Sequence, residues 1–166
     1  MLLEMGWLPS PGSDFRRRLR DLQAELDAAA PASDFEHRLI GLATAALDEN
    51  QLGQLARFTT RLLETGHELP VLPRVRLGPV GDGTLALLAP AIAGSAVRHG
   101  LLVEVVEGGY GSAVQEAVDP GSHLHAAKLD MVLIASDARL LGLDQAAERT
   151  SEAERKVDAA FAQIRL

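Results

Sequence analysis

Residues 101–137 read LLVEVVEGGYGSAVQEAVDPGSHLHAAKLDMVLIASD. An apolar strand leads into a glycine-rich turn, then a short helix over residues 113–118. Asp119-Pro120-Gly121-Ser122 turns the chain, a further helical turn follows, and a second apolar strand occupies residues 130–135. Upstream, RVRLGPV at residues 74–80 reads as a first strand, and Gly81-Asp82-Gly83-Thr84 leads into a helix that Gly100 ends near His99. This alternation predicts an α/β fold with a parallel sheet. DMVLIA, residues 130–135, is apolar on both faces and is therefore expected at the centre of the sheet. Loops at the carboxyl ends of such strands hold ligands, and here they are GPVGDGT, EGGYGS and SDARLLG.

The chain before this region reads as helical. Ser13 is a candidate N-cap for a helix with Phe15, Leu19, Leu22 and Leu26 on one face, broken by Pro31. Ser33 is a candidate cap for a second helix, whose apolar stripe is Phe35, Leu39, Leu42, Ala46 and Leu47. Asp48-Glu49-Asn50 reads as a turn. A third helix carries Leu52, Leu55, Phe58, Leu62 and Leu63 and stops at Gly66. Pro70 and Pro73 then form a stiff connector. The boundary is expected near residue 70, with a helical subdomain over residues 1–70 and an α/β domain over residues 71–166. A long helix over residues 144–166, with Ala147, Val157, Phe161 and Ile164 inward, is expected to close the region. Three strands fall short of the five or so of a doubly wound sheet. That points to an excised piece of a longer protein, or to a partner that completes the sheet.

The 166 residues are 47% hydrophobic but only 4% aromatic, so Leu, Val, Ala and Ile must build the core. A net charge of −7 argues against a general nucleic-acid binder. Lysine occurs only at Lys128 and Lys156. Arg16, Arg17, Arg18 and Arg20 form a local basic cluster, either a solvated helix face or a docking patch for an acidic partner. No cysteine is present, which removes disulfides, thiolate metal sites and thiol nucleophiles together. The start, MLLEMGWLPSPGSDF, carries an early Glu4 and no long apolar run, unlike a signal peptide or a membrane span. The expectation is a soluble, cytoplasmic protein that uses neither membrane nor nucleic acid.

Several residues are candidates for a strand-end cleft. Asp82, Gly83 and Thr84 sit where a glycine-rich turn could offer backbone N–H groups to an anion. The negative charge of Asp82 opposes phosphate there, and tight-turn and capping duty for Thr84 is the competing reading. Neither the P-loop lysine nor the third glycine of a dinucleotide fingerprint is present. Tyr110, the sole tyrosine, and Gly111 lie in the GGYG loop, where the ring either meets a ligand or anchors the loop. Ser136, Asp137 and Arg139 follow the expected central strand; Asp137 and Arg139 could pair, orient the first loop, cap a helix or touch a ligand. His123 and His125 read as diverging on a turn or short helix, with no acidic pair to complete a zinc set. No serine, histidine and acid combine into a nucleophilic triad. Neither a catalytic residue, a metal site nor a cofactor is therefore expected in this chain.

The pieces VEVVEGGYGS, QEAVDPGSHLH and LDMVLIASDARLL, with the upstream helices LIGLATAALDENQLGQLARF, resemble the FkbH-like family. The likeness runs from about residue 43 to residue 142 and is best over residues 103–137. It implies proteins that load a glyceryl unit, derived from a phosphorylated three-carbon acid, onto an acyl carrier protein in polyketide biosynthesis. It further implies an N-terminal domain with an SGNH-hydrolase-like or flavodoxin-like three-layer sheet, incomplete here. A phosphatase-like catalytic domain of the haloacid dehalogenase superfamily would follow it. That domain's DxDx(T/V) motif does not occur in this chain. The family's SGNH likeness carries a departure: Gly83 stands where SGNH hydrolases have their nucleophilic serine. The resemblance therefore implies a non-catalytic domain that binds the carrier protein or braces the catalytic domain, in a parent that is a transferase with phosphatase-like chemistry. A small hydrolase or acyltransferase with an atypical site near Thr84, and a plain structural scaffold, are the alternative readings.

Overall fold

A computed structural model describes residues 7–81, 85, 87–108, 113–135, 137–139 and 141–164. It is an α/β protein in which three helices precede a parallel sheet: α1 (Phe15–Asp27), α2 (Phe35–Ala43), α3 (Glu49–Glu64), β1 (Arg74–Gly81), α4 (Leu88–Ala96), β2 (Leu102–Val105), α5 (Ala113–Val118), α6 (His123–Ala126), β3 (Met131–Ala135) and α7 (Thr150–Ile164). The chain divides into two compact units, Met1–Val75 with Ala86–Glu104, and Arg76–Leu85 with Val105–Leu166.

In the first unit, helical spacing places Phe15, Leu22 and Leu26 of α1, Phe35, Leu39 and Leu42 of α2, and Leu55, Phe58 and Leu62 of α3 on buried faces. They form one cluster with Leu72, Val97 and Leu102. Burial of each large member contributes roughly 1.5–3 kcal/mol. The Phe35 and Phe58 rings meet at 6.3 Å between centroids, tilted by 39°. Polar bridges lie over this apolar cluster. Arg38 donates to both carboxylate oxygens of Glu25, at 2.5 and 2.6 Å, and Arg61 pairs with Asp27 at 2.5 Å.

The helix starts differ from the sequence expectation. The N-caps are Asp14 and Asp34 rather than Ser13 and Ser33, and neither aspartate side chain accepts a capping bond. The chain enters both helices through a turn, with Phe15 N bonded to Gly12 O and Phe35 N to Ala32 O. The two carboxylates instead face arginines, Arg17 at 3.2 Å and Arg38 at 3.3 Å. α2 ends at Ala43, so Ala46 and Leu47 fall outside it, and Leu47 packs against the core from the connector. Asp48-Glu49-Asn50 is not a free turn but the start of α3. Asp48 Oδ1 accepts from Gln51 N at 2.8 Å, and Gln51 Oε1 accepts from Asp48 N at 2.9 Å, a reciprocal capping box. Gly66, at φ +67°, follows the end of α3 in the left-handed conformation that glycine tolerates best.

α4 lies close to α3. A Cβ on Gly94 would stand 2.6 Å from the Leu52 carbonyl oxygen, so only hydrogen fits between the two helices there. A short 3₁₀ turn, Val97–His99, then brings the chain to Gly100.

The sheet order is β2-β1-β3. β1 pairs parallel with β3, from Leu77 opposite Met131 to Gly81 opposite Ala135. On its other side, Leu102 N bonds Pro73 O at 3.0 Å and Val106 N bonds Leu77 O at 2.9 Å. Donor and acceptor both advance by four residues, which makes that pairing parallel as well. The expected position of the last strand is therefore corrected: β1 is central, buried from Leu77 to Gly81, and β3 is an edge. Met131, Val132, Leu133 and Ile134 are 60%, 57%, 36% and 53% exposed. An apolar run shows that a strand suits cover on both faces, not that its own chain supplies the cover. The last helix is also shorter than expected, starting at Thr150, after Glu148 N bonds the Glu152 carboxylate at 3.2 Å. Ala160 is buried, whereas Val157 and Phe161 are exposed; Ala147 precedes the helix, and the side chain of Ile164 lies outside the description.

Two stability measurements check this packing. Gly94→Ala destabilises the protein by about 1–3 kcal/mol in urea unfolding, because the methyl group meets backbone. Gly41→Ala on the exposed side of α2, where the nearest atom is Arg18 Nη2 at 3.9 Å, stabilises it by roughly 0.5–1 kcal/mol. The Arg38 hydrogen bonds hold the Glu25 carboxyl below the usual carboxylate range, against a smaller opposing effect of burial. Its stabilising effect is therefore fully present above the unfolded-state pKa and is lost as pH falls through the lower folded value. Near neutral pH, Glu25→Gln costs about 1 kcal/mol at most, since both side chains reach solvent. The difference from wild type shrinks toward zero in unfolding titrations carried below the lowered folded-state pKa.

Candidate functional site

Order β2-β1-β3 means that the connections from β1 and β2 run to opposite sides of the central strand. The reversal falls between β1 and β3, and ligand crevices of open parallel sheets form at that point, beyond the carboxyl ends of the strands. In the second unit the two strand ends meet at Gly81 and Ala135. A Cβ on Gly81 would lie 2.4 Å from the Ala135 carbonyl oxygen, so glycine is required for the close approach. Asp82, Gly83 and Thr84, which follow Gly81 in the sequence, lie outside the described residues. So do Ser136, Tyr110 and Gly111.

Two of the expected cleft residues are described. Asp137 Oδ1 accepts from Arg139 N at 2.8 Å, an aspartate turn that ties the carboxylate to its own loop. Gly142 N to Arg139 O at 3.0 Å and Leu143 N to Ala138 O at 2.7 Å complete the loop. Asp137 thus shapes the loop after β3, and Arg139 is exposed.

The segment between β2 and β3 is fastened by its own polar groups. Gly108 sits against Leu124, whose Cδ1 would lie 3.2 Å from an added Cβ. The Glu116 carboxylate accepts from Leu124 N at 3.1 Å. Ser122 caps α6 by accepting from His125 N at 3.4 Å. That hydroxyl is committed to a cap, and no hydroxyl bonds an imidazole among the described residues. His123 and His125 sit two apart on this one-turn helix, where side chains do not share a face. Among the described residues no group of three His, Asp or Glu could hold a metal ion.

The arginine cluster of α1, in the first unit, is sorted by its neighbours. Arg17 pairs with Asp14 at 3.2 Å and Asp21 at 3.8 Å, so its charge is locally balanced. Arg18 is half-buried beside Gly41, and Arg20 is exposed. Arg16 lines a cavity of about 460 Å³ together with Asn50, Gly53, Gln54 and Arg57 of α3 and the start of α4. Sequence reasoning missed this cavity. Its signal is the spacing of residues 50, 53, 54 and 57, one polar stripe of α3 opposite its apolar face, which reads by default as a solvated surface.

No helix among the described residues is long and apolar enough to cross a membrane. No family model and no curated protein matches the chain. A crystal structure of the N-terminal part of the protein BF1531 from Bacteroides fragilis, which contains a phosphatase domain and is complexed with Mg, is similar in fold. The TM-score is 0.55 and the identity 18% over 72% of this chain. This chain spans 29% of the length of that one, so the likeness concerns a part of a larger architecture.

Proposed function

We propose that this chain is a non-catalytic domain of an FkbH-like protein, working beside a phosphatase-type domain of the haloacid dehalogenase superfamily in the same polypeptide. In this reading it helps load a glyceryl-derived unit onto an acyl carrier protein in polyketide biosynthesis. It does so by bracing the catalytic domain or by receiving the carrier. The dephosphorylation and transfer chemistry belongs to the catalytic domain, because Gly83 offers no nucleophile.

The observation that carries the reading is β3. An apolar parallel strand that is 36–60% exposed along Met131 to Ile134 presents an unpaired edge and two uncovered faces among the described residues. Such strands are covered in α/β proteins, so a neighbouring domain is the natural cover. The likeness to the N-terminal part of a phosphatase-domain protein supports the same assignment. On the first unit, Arg18 and Arg20 of α1 have no carboxylate partner among the described residues and lie outside the cavity that Arg16 lines, and they suit an acidic carrier protein.

Hydrogen exchange on the chain, alone and mixed with a phosphatase-type domain of the family, tests the bracing role. The β3 amides are expected to slow roughly tenfold or more on mixing. Unaltered exchange removes that role. In a parallel titration with holo carrier protein, R18E/R20E is expected to weaken binding roughly three- to tenfold, more at low salt than at high salt. Equal affinity of variant and wild type removes the arginines from the carrier interface.

A further inference from the structure

We infer that the cavity of the first unit is a binding site for a small polar molecule, held through one oxyanion, a phosphate or a carboxylate. The inference stands on this cavity alone and is independent of the function proposed above.

Two arginines line the space, Arg16 from the first turn of α1 and Arg57 from the middle of α3. Neither has an ion-pair or hydrogen-bond partner among the described residues, while Arg17, Arg38, Arg61 and Arg74 are all paired with carboxylates. Two guanidinium groups with no carboxylate in ion-pair contact, lining one cavity, repel each other, and an anion between them turns that repulsion into attraction.

The wall is built to receive them. Asn50, Gly53, Gln54 and Arg57 recur at helical spacing on one side of α3, and Leu87, Pro90 and Ala91 recur in the same way at α4. Gly53 in the middle of the polar stripe leaves the room. An added Cβ there would stand 3.7 Å from Arg57 Nη1, so the guanidinium folds back along the helix over the glycine. The close approach of α3 and α4 at Gly94 holds the two walls in register.

The chemistry of the lining narrows the ligand. Arginine forks match the paired oxygens of phosphate or carboxylate. The amides of Asn50 and Gln54 donate and accept, which suits hydroxyl groups on the same molecule. Glu49 also lines the space, and its charge disfavours a polyanion while accepting a hydroxyl or ammonium. The volume of about 460 Å³ falls in the range of small-molecule sites. A compact metabolite with one anionic head and a polar body fits this description.

Amide and arginine Nε NMR titration of the whole chain with inorganic phosphate, and separately with acetate, tests the site at constant ionic strength set by chloride. Saturable shifts are expected at Asn50, Gly53, Gln54 and Arg57 Nε with at least one of the two anions. The dissociation constant is expected to be on the order of millimolar, as befits a lone anionic fragment. Arg16→Ala and Arg57→Ala each weaken it by about tenfold. Arg57→Lys retains part of the affinity, since it keeps the charge and loses the fork. Arg155→Ala, on α7 and outside the cavity, leaves it unchanged. Non-saturating shifts with both anions, or a response that survives R16A/R57A, overturns the proposal. The variants are surface changes, and their unshifted amide spectra away from the cavity verify folding.

Discussion

Strand β1 is hydrogen-bonded along both edges, and the sheet exists because it can be. Between Leu77 and Gly81 the strand is buried throughout, and its side chains are small where neighbours press closest. Gly81 has no room for a methyl group beside the Ala135 carbonyl, and Gly78 has none beside the Leu129 side chain. The strand order follows from this central position. The order in turn sets the carboxyl ends of β1 and β3 side by side, Gly81 opposite Ala135. A bulkier residue at 81 would push β3 away from β1.

Much of this architecture is legible in the amino-acid pattern. The three strands are short runs rich in Leu, Val and Ile, and the helices of the first unit declare themselves through Phe and Leu at helical spacing. The position of β3 was not legible. Apolarity on both faces follows from eventual cover, and the pattern is the same whether a strand is flanked by its own sheet or left at the margin. Helix starts were misread for a local reason. Ser13 and Ser33 are good capping residues, but Asp14 and Asp34 follow them, and a tight turn lets the aspartates head the helices while their carboxylates meet arginines. In the candidate crevice, the need for glycine at position 81 is written in GPVG, yet it becomes specific only with the Ala135 carbonyl opposite. The α3 stripe was invisible for the opposite reason, since polar residues on the outer side of an amphipathic helix are the ordinary case.

The arginines of α1 show how a run of like residues acquires separate roles. Arg16, Arg17 and Arg18 are successive residues and point around the cylinder, and Arg20 returns to the face of Arg16 one turn on. Asp14 and Asp21 lie three residues before and four after Arg17 and neutralise it. Arg16 falls toward α3, and Arg20 toward water. A basic cluster counted from sequence alone is therefore larger than the basic surface it produces. The distinction matters for a chain whose overall charge is −7, in which any attraction for anions has to be local.

The bare edge at β3 has a bearing on how the polypeptide behaves in isolation. Neither lysine nor proline interrupts Met131–Ala135, the usual guards against edge-to-edge association. What stands at the two ends is carboxylate, Asp130 and Asp137. Two copies meeting edge to edge in opposite directions bring Asp130 of one near Asp137 of the other at both ends. Electrolyte screens that repulsion within about 10 Å at 0.1 M. Added salt therefore works against dispersal of this polypeptide, drawing it toward ribbon-like aggregates, and dilute buffers favour its single-chain form.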